Sequence, residues 1–226
     1  MSNLQVYWER LIDFMPDIIE SLGETGIMMG FAMIAAIILG LPLGTLLFLT
    51  NEDNPRANKV VYQVLSFIIN IIRSFPFLLL VVSMQPLIRA TYGRATGDPV
   101  AASFPMMVIA IALYARFVEQ SLMDVDRGVL ETADALGANT WQLVTKFLFV
   151  EAKSSLIIGY TTAFVSFISY STIMGVVGGG IGDFAIRYGY QRYETDIMYT
   201  AIIMIIVIVQ LCQWLGLKVA KKVDHR

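Results

Sequence analysis

The sequence predicts an all-α membrane protein with five transmembrane helices, its N-terminus outside, its C-terminus inside, and a helical loop on the inner face. Three observations carry that prediction. The 226 residues are 57% hydrophobic and 15% charged, with mean hydropathy +0.67, whereas a soluble domain carries about 25% charge. Five apolar segments recur at lengths suited to a bilayer, which needs roughly 20 such residues. Lys and Arg are divided unequally between the connecting segments.

The elements follow in order. In residues 1–24, Leu4, Trp8, Leu11, Ile12, Met15, Ile18 and Ile19 fall at helical spacing, with Glu9, Asp13, Asp17 and Glu20 between them. This is the pattern of an amphipathic helix lying on the outer interface, as an anchor for the first span or as a gate. Residues 25–217 form the transmembrane domain. Its spans cover 25–49, 60–87, 105–118, 156–177 and 197–217, the third lengthened by residues 101–103. Pro42, Pro76 and Pro105 sit in or beside spans, which membrane helices tolerate when neighbours satisfy the freed backbone groups. Residues 218–226 form a basic tail on the inner side.

Orientation follows from charge. Loop 51–59, the segment after the third span and the C-terminus hold 10 Lys and Arg: Arg56, Lys59, Arg116, Arg127, Lys146, Lys153, Lys218, Lys221, Lys222 and Arg226. The opposite side holds 5, namely Arg10, Arg89, Arg94, Arg187 and Arg192, and Arg73 lies within a span. The positive-inside rule puts the richer side in the cytoplasm.

Several function classes are excluded by composition. A net charge of −2 gives no basic surface for nucleic acid. Cys212 is the single cysteine, so disulfides and cysteine-rich metal sites are absent from the reading. The single histidine, His225, reads as part of a solvated tail. No secretory signal or lipidation motif is expected at either end. The G-x-x-x-x-G-K-[ST] pattern of an ATP-binding loop does not occur. Gly178-Gly179-Gly180-Ile181-Gly182 is followed by Asp183-Phe184, so the run reads as a tight turn or re-entrant segment at the outer end of the spans. No catalytic residue, metal site or cofactor is expected in this chain.

The long loop 120–153 is too polar to span and too patterned for a linker. Leu122, Val125, Val129, Ala133 and Leu136 keep a three-to-four spacing, so a helix is expected, ending at Gly137. Asn139 then caps a second short helix, with Gln142 completing a capping box. Trp141, Val144 and Leu148 form its apolar stripe.

Glu131-Thr132-Ala133, three residues and Gly137 resemble the E-A-A-x3-G signature of ABC importer permeases. That signature continues through nine residues to I-x-L-P; here Phe147-Leu148-Phe149-Val150 stand there, with Phe149-Val150 replacing Leu-Pro. R-S-F-P-F at 73–77, G-V-V-G-G-G-I-G at 175–182 and Y-G-Y at 188–190 look like the methionine-uptake branch. The resemblance implies a permease subunit in a bacterial inner membrane, working as a homodimer amid membrane lipids. It implies two ABC ATP-binding subunits, which hold ATP and Mg, and an external solute-binding protein. The loop would be the coupling helix, contacting the ATPase through Glu131, Thr132, Ala133, Leu136, Gly137, Ala138, Thr140 and Trp141. Ala133 and Gly137 would let the partner surface approach closely, and Glu131 would brace the loop on a cation such as Lys146. Phe149-Val150 would make the exit into the fourth span less sharply bent.

Two alternatives stand beside methionine import. One is an ABC permease for another small solute. The other is an ion-driven secondary transporter, although neither internal repeats nor paired intramembrane carboxylates are found. A structural membrane protein without transport is disfavoured by Arg73 and the polar fourth span.

Arg73 is a cation within a span, where charge is costly and faces the interior or water. Either it faces the substrate pathway, or it pairs with carbonyls or snorkels outward. Ser166, Ser169, Tyr170, Ser171, Thr172 and Met174 make the fourth span polar toward its outer half. These hydroxyls bond across helices, or Tyr170, Ser171 and Met174 line the pathway, the soft Met side chain suiting a thioether solute.

Overall fold

A computed structural model describes residues 3–54, 56–174, 177 and 179–224, and these are helical throughout apart from short connections. Gly175, Val176 and Gly178 of the glycine run lie outside the described residues, as do His225 and Arg226.

The chain opens with α1 (Asn3–Ala35), a π-helical segment (Ala36–Gly40) and α2 (Leu41–Thr50). The π-helical segment runs directly into Pro42 in the first turn of α2. Proline lacks an amide donor and its ring crowds the preceding turn, so a local widening of the helix accommodates it. The apolar helical stretch Tyr7–Thr50 has 44 residues, more than the roughly 20 that a bilayer span needs. The expected boundary at residue 24 is therefore not a break in the backbone: α1 runs straight through it.

The second expected span, 60–87, is corrected. It is two helices, α3 (Lys59–Ser74) and α4 (Phe77–Tyr92), interrupted at Phe75–Pro76. Pro76 takes φ −58° and ψ 123° as the N-cap of α4, and proline disfavours helical backbone in the residue before it. Next come α5 (Pro99–Met123), α6 (Arg127–Ala135), α7 (Thr140–Gln142), a π-helical segment (Leu143–Leu148), α8 (Phe149–Glu151) and α9 (Lys153–Met174). The chain continues through α10 (Gly180–Phe184), a π-helical segment (Ala185–Tyr190) and α11 (Thr195–Val223). Among the described residues, four helices are long and apolar enough to cross a membrane, or five if the broken pair α3 and α4 makes one span. The third, expected over 105–118, extends to 25 residues in α5, because Asp98 accepts the amides of Val100 at 2.8 Å and Ala101 at 3.3 Å just before Pro99 opens the helix.

The helices fall into two compact units. The first comprises Met1–Met33, Phe75–Val108 and Val165–Leu211. Its core gathers Leu11 and Ile18 with Ile181, Phe184, Ile197 and Ala201. Tyr7 and Thr200 share a 2.7 Å hydrogen bond, and Arg10 pairs with Glu194 and, at 3.1 Å, with Asp196. One face of the N-terminal segment thus packs on protein, while Trp8, Ile12 and Ile19 stay exposed. The second unit comprises Ile34–Ser74, Ile109–Phe164 and Cys212–Arg226. Its core joins Leu47, Ile69, Ala112 and Ala115. Gly44 lets α2 approach α5 closely: a Cβ there would stand 2.3 Å from the carbonyl oxygen of Ala115. Ile203, Ile206, Val207, Leu211 and Leu215 of α11 are exposed, as suits side chains in contact with lipid.

Candidate functional site

The loop between α5 and α9 is a helical hairpin with hydrogen-bonded caps. Asp126 starts its first helix: the Asp126 carboxylate accepts the Gly128 amide at 2.7 Å, and α6 begins at Arg127, which leaves Leu122 of the expected stripe at the end of α5. Leu122 and Val125 are buried before the helix starts, and Ala133 is fully buried within α6. The helix closes as a Schellman motif. Gly137, at φ +69°, donates its amide to the Asp134 carbonyl at 3.0 Å, and Ala138 donates to the Ala133 carbonyl at 3.0 Å. The capping box forms as the sequence predicts. The Asn139 carboxamide oxygen accepts the Gln142 amide at 2.9 Å, and that of Gln142 accepts the Asn139 amide at 3.0 Å.

The turn is fastened from outside the hairpin as well. The Arg56 guanidinium donates to the Ala138 carbonyl at 3.3 Å, tying loop 51–58 to the residue after Gly137. Leu143, Val144 and Leu148 are buried behind the turn. With backbone and rear face held in this way, the tip presents Leu136, 71% exposed, and Trp141, 75% exposed. Apolar side chains of this size held in the open, on either side of a fixed turn, suit contact with another protein.

Four expectations for the loop are corrected. Trp141 does not continue the stripe of Val144 and Leu148: it points away from the bundle while they are buried. Ala133 offers no surface to a partner, since its small side chain fits against its own chain. Among the described residues, Glu131 forms no ion pair with Lys146. Glu131 instead lines an open groove with Phe48, Asn51, Asn54, Arg127 and Asp134. Arg116, counted with the loop cations, lies inside α5 rather than in the loop. Thr132 and Thr140 are exposed, with the Thr132 hydroxyl donating to the Gly128 carbonyl at 2.6 Å. The exit into α9 is nearly continuous helix: Ala152 interrupts it, its amide bonded to the Leu148 carbonyl at 2.8 Å. With Val150 in place of proline, no ring forces a sharper bend.

From the sequence, Arg116 is counted only as an inner-side cation, and its pairing with Glu119 is passed over. The Arg116 guanidinium donates to Glu119 Oε2 at 2.5 Å, to the Ser66 hydroxyl at 2.5 Å and carbonyl at 3.2 Å, and to Asn70 Oδ1 at 2.9 Å. Glu119 is 3% exposed. The signal was the i, i+3 pair of opposite charges on an otherwise apolar helix.

The candidate pathway residues divide. Arg73 is exposed in the last turn of α3. Tyr170 is half-buried and lies against Phe77, ring centroids 4.8 Å apart, and against Phe167. Ser171 and Met174 are each 1% exposed, and the Ser171 hydroxyl is spent on the Ile168 carbonyl at 2.7 Å. Among the described residues of the glycine run, Gly179 and Gly180 have φ +130° and +81°. Gly182 sits so near α9 that a Cβ would stand 2.4 Å from the Thr172 Cα, the close backbone approach that glycine permits.

A family model described as binding-protein-dependent transport system inner membrane component matches residues 55–225. A probable D-methionine transport system permease protein MetI of Pasteurella multocida is 42% identical over 200 residues, 88% of this chain and 92% of that one. The methionine import system permease protein MetP of Bacillus subtilis is 36% identical over 183 residues, covering 80% and 82%. A solved structure of inward-facing conformations of the MetNI methionine ABC transporter superposes with TM-score 0.91 at 33% identity, covering 94% of this chain and 99% of that chain. An amino acid ABC transporter crystallised with histidines shares the fold at TM-score 0.71 and 18% identity. With its apolar spans and its braced hairpin, the chain belongs to the inner membrane components of binding-protein-dependent transport systems, as a multi-pass protein of the cell membrane.

Proposed function

We propose that the chain is the permease subunit of an ATP-driven methionine importer, and that the hairpin at Gly137 is where it engages its ATPase. The observation carrying the coupling role is the pair Leu136 and Trp141, exposed on either side of a turn whose backbone is fixed by Arg56, the Schellman bonds and the capping box. A force applied there passes to α5 and α9 with little loss, because each joint is hydrogen-bonded. Glu131, Thr132, Gly137, Ala138 and Thr140 complete the contact surface, and Ala133 acts by holding α6 against the bundle. The methionine assignment rests on relatives named for methionine transport.

The working unit is a homodimer with two ATP-binding subunits, which hold ATP and Mg, and an external solute-binding protein. The hairpin and the basic tail 218–226 face the cytoplasm and the N-terminus lies outside, following the Lys and Arg asymmetry. Residues 25–217 are the permease domain, with 1–24 as its outer extension. Arg73 steers the solute carboxylate.

Co-purification with the ATP-binding subunit encoded beside it tests the assignment, followed by uptake of L- and D-methionine in proteoliposomes supplied with the solute-binding protein. A chain that recruits no ATPase, or a complex that moves another solute in preference to methionine, would refute the corresponding half of the proposal.

A further inference from the structure

The spacing of polar residues along α3 separates its surface into three faces. Lys59, Gln63, Ser66, Asn70 and Arg73 recur at alternating intervals of four and three, so they occupy one stripe about 80° wide at 3.6 residues per turn. On one flank, Tyr62, Leu65, Ile69 and Ile72 pack into the unit's core. On the other, Val60, Val64, Phe67 and Ile71 are exposed and apolar. The stripe is not buried: Lys59, Gln63, Asn70 and Arg73 are exposed and Ser66 is half-buried.

Exposed polar and cationic groups along a membrane helix do not face lipid; they face water or other polar groups. The apolar flank beside them suits lipid, so the boundary between hydrocarbon and water falls along this helix. Arg116 strengthens the polar side. From α5 it reaches Ser66 and Asn70, while Glu119 holds its other terminal nitrogen. This guanidinium is held in place by four acceptors and remains 13% exposed. Lys59 pairs with Glu52 at 2.9 Å and Arg116 with Glu119, so among the described residues Arg73 is the stripe cation without an ion pair, and the polar stripe leading to it suits a small solute with a carboxylate.

We propose that Lys59, Gln63, Ser66, Asn70 and Arg73 of α3, with Arg116 seated between them from α5, form one wall of the aqueous route along which an amino acid's carboxylate passes. The proposal rests on the importer assignment and extends it from Arg73 to a continuous track.

The test uses the complete complex with its ATP-binding subunit and its solute-binding protein in proteoliposomes, with Cys212→Ser removing the chain's single cysteine. Cysteine is then introduced singly at Gln63, Ser66 or Asn70, and at Val64 or Ile71 on the apolar flank. Solute-stimulated ATP hydrolysis is measured first, which judges the importer assignment independently. Membrane-impermeant methanethiosulfonates, one anionic and one cationic, are then applied. The stripe cysteines are expected to react about tenfold or more faster than those at Val64 and Ile71, because only a water-contacting thiol ionises readily. The anionic reagent should outpace the cationic one at Asn70→Cys, and excess methionine should slow both there. Gln63→Cys lies outside the Arg116 network, so its labelling stands even if Ser66→Cys and Asn70→Cys disturb folding. Stripe cysteines as inert as the flank would overturn the proposal. Fast stripe labelling in a complex without solute-stimulated hydrolysis would uphold the aqueous wall and refute the importer assignment.

Discussion

The carboxylate of Glu24 accepts the backbone amide of Gly180 at 2.6 Å, joining the middle of α1 to the start of α10 across 156 residues of sequence. The adjacent Thr25 hydroxyl accepts the Ile181 amide at 2.9 Å. A helix start left without partners costs free energy, and here α10 receives its caps from another helix rather than from its own flank. Replacing Glu24 with Ala should lower stability by about 1 kcal/mol, the usual worth of an N-cap acceptor. Glu24→Gln keeps an acceptor oxygen and should lose less. Thermal unfolding in detergent reads both, and an Ala variant as stable as the parent would show that this contact does not hold α10.

Two glycines give a matched comparison of close packing. A Cβ at Gly182 would meet the Thr172 Cα at 2.4 Å, whereas one at Gly23 would find no atom within 4 Å. Gly182→Ala should therefore destabilise by about 1–3 kcal/mol through overpacking. Gly23→Ala, inside α1, should stabilise by up to about 1 kcal/mol through helix propensity. Equal melting temperatures for the two variants would contradict the close approach of α9 and α10.

At Gly137 the constraint is backbone conformation rather than space. A Cβ there would meet nothing within 4 Å, yet the residue's φ is +69°. Gly137→Ala should cost about 1–2 kcal/mol, the left-handed penalty for an L-residue. Gly137→Asn should recover part of it, since Asn tolerates this region. Melting temperature together with ATPase co-purification measures the effect. A stability ranking of Ala above Asn would argue against the observed turn.

Trp141 separates docking from folding. Being 75% exposed, it should be replaceable by Ala within about 0.5 kcal/mol of the parent's stability. As an aromatic anchor in a protein interface it should nevertheless weaken ATPase binding by about 2 kcal/mol, roughly thirtyfold. Titration of the purified ATP-binding subunit against the variant decides the matter. Unaltered affinity would remove Trp141 from the docking surface.

Legibility in the sequence followed the range of the interactions involved. The Gly137 turn and the Asn139–Gln142 box were readable because their partners lie within three to five residues and the demands are stereochemical. The interruption of span 60–87 was marked by Pro76 but read as tolerated, because hydropathy alone runs on unbroken through Phe75–Pro76. Residues 1–24 read as a separate interfacial helix because their charges fill the gaps between apolar positions. What periodicity could not supply was the partner on Leu11 and Ile18, which is α10 and α11 rather than the membrane surface.

By itself the sequence determined the membrane class, the approximate spans, the helical hairpin and the family, since hydropathy, caps and motifs are local properties of the chain. Tertiary structure decided which way side chains of the same pattern point. It turned Ala133 inward and Trp141 outward, drew Arg116 into α5 against Ser66 and Asn70, and closed Ser171 and Met174 within protein. Each of those outcomes depends on an element distant in sequence that fills or leaves open the space beside the residue, and a linear pattern carries no record of that neighbour.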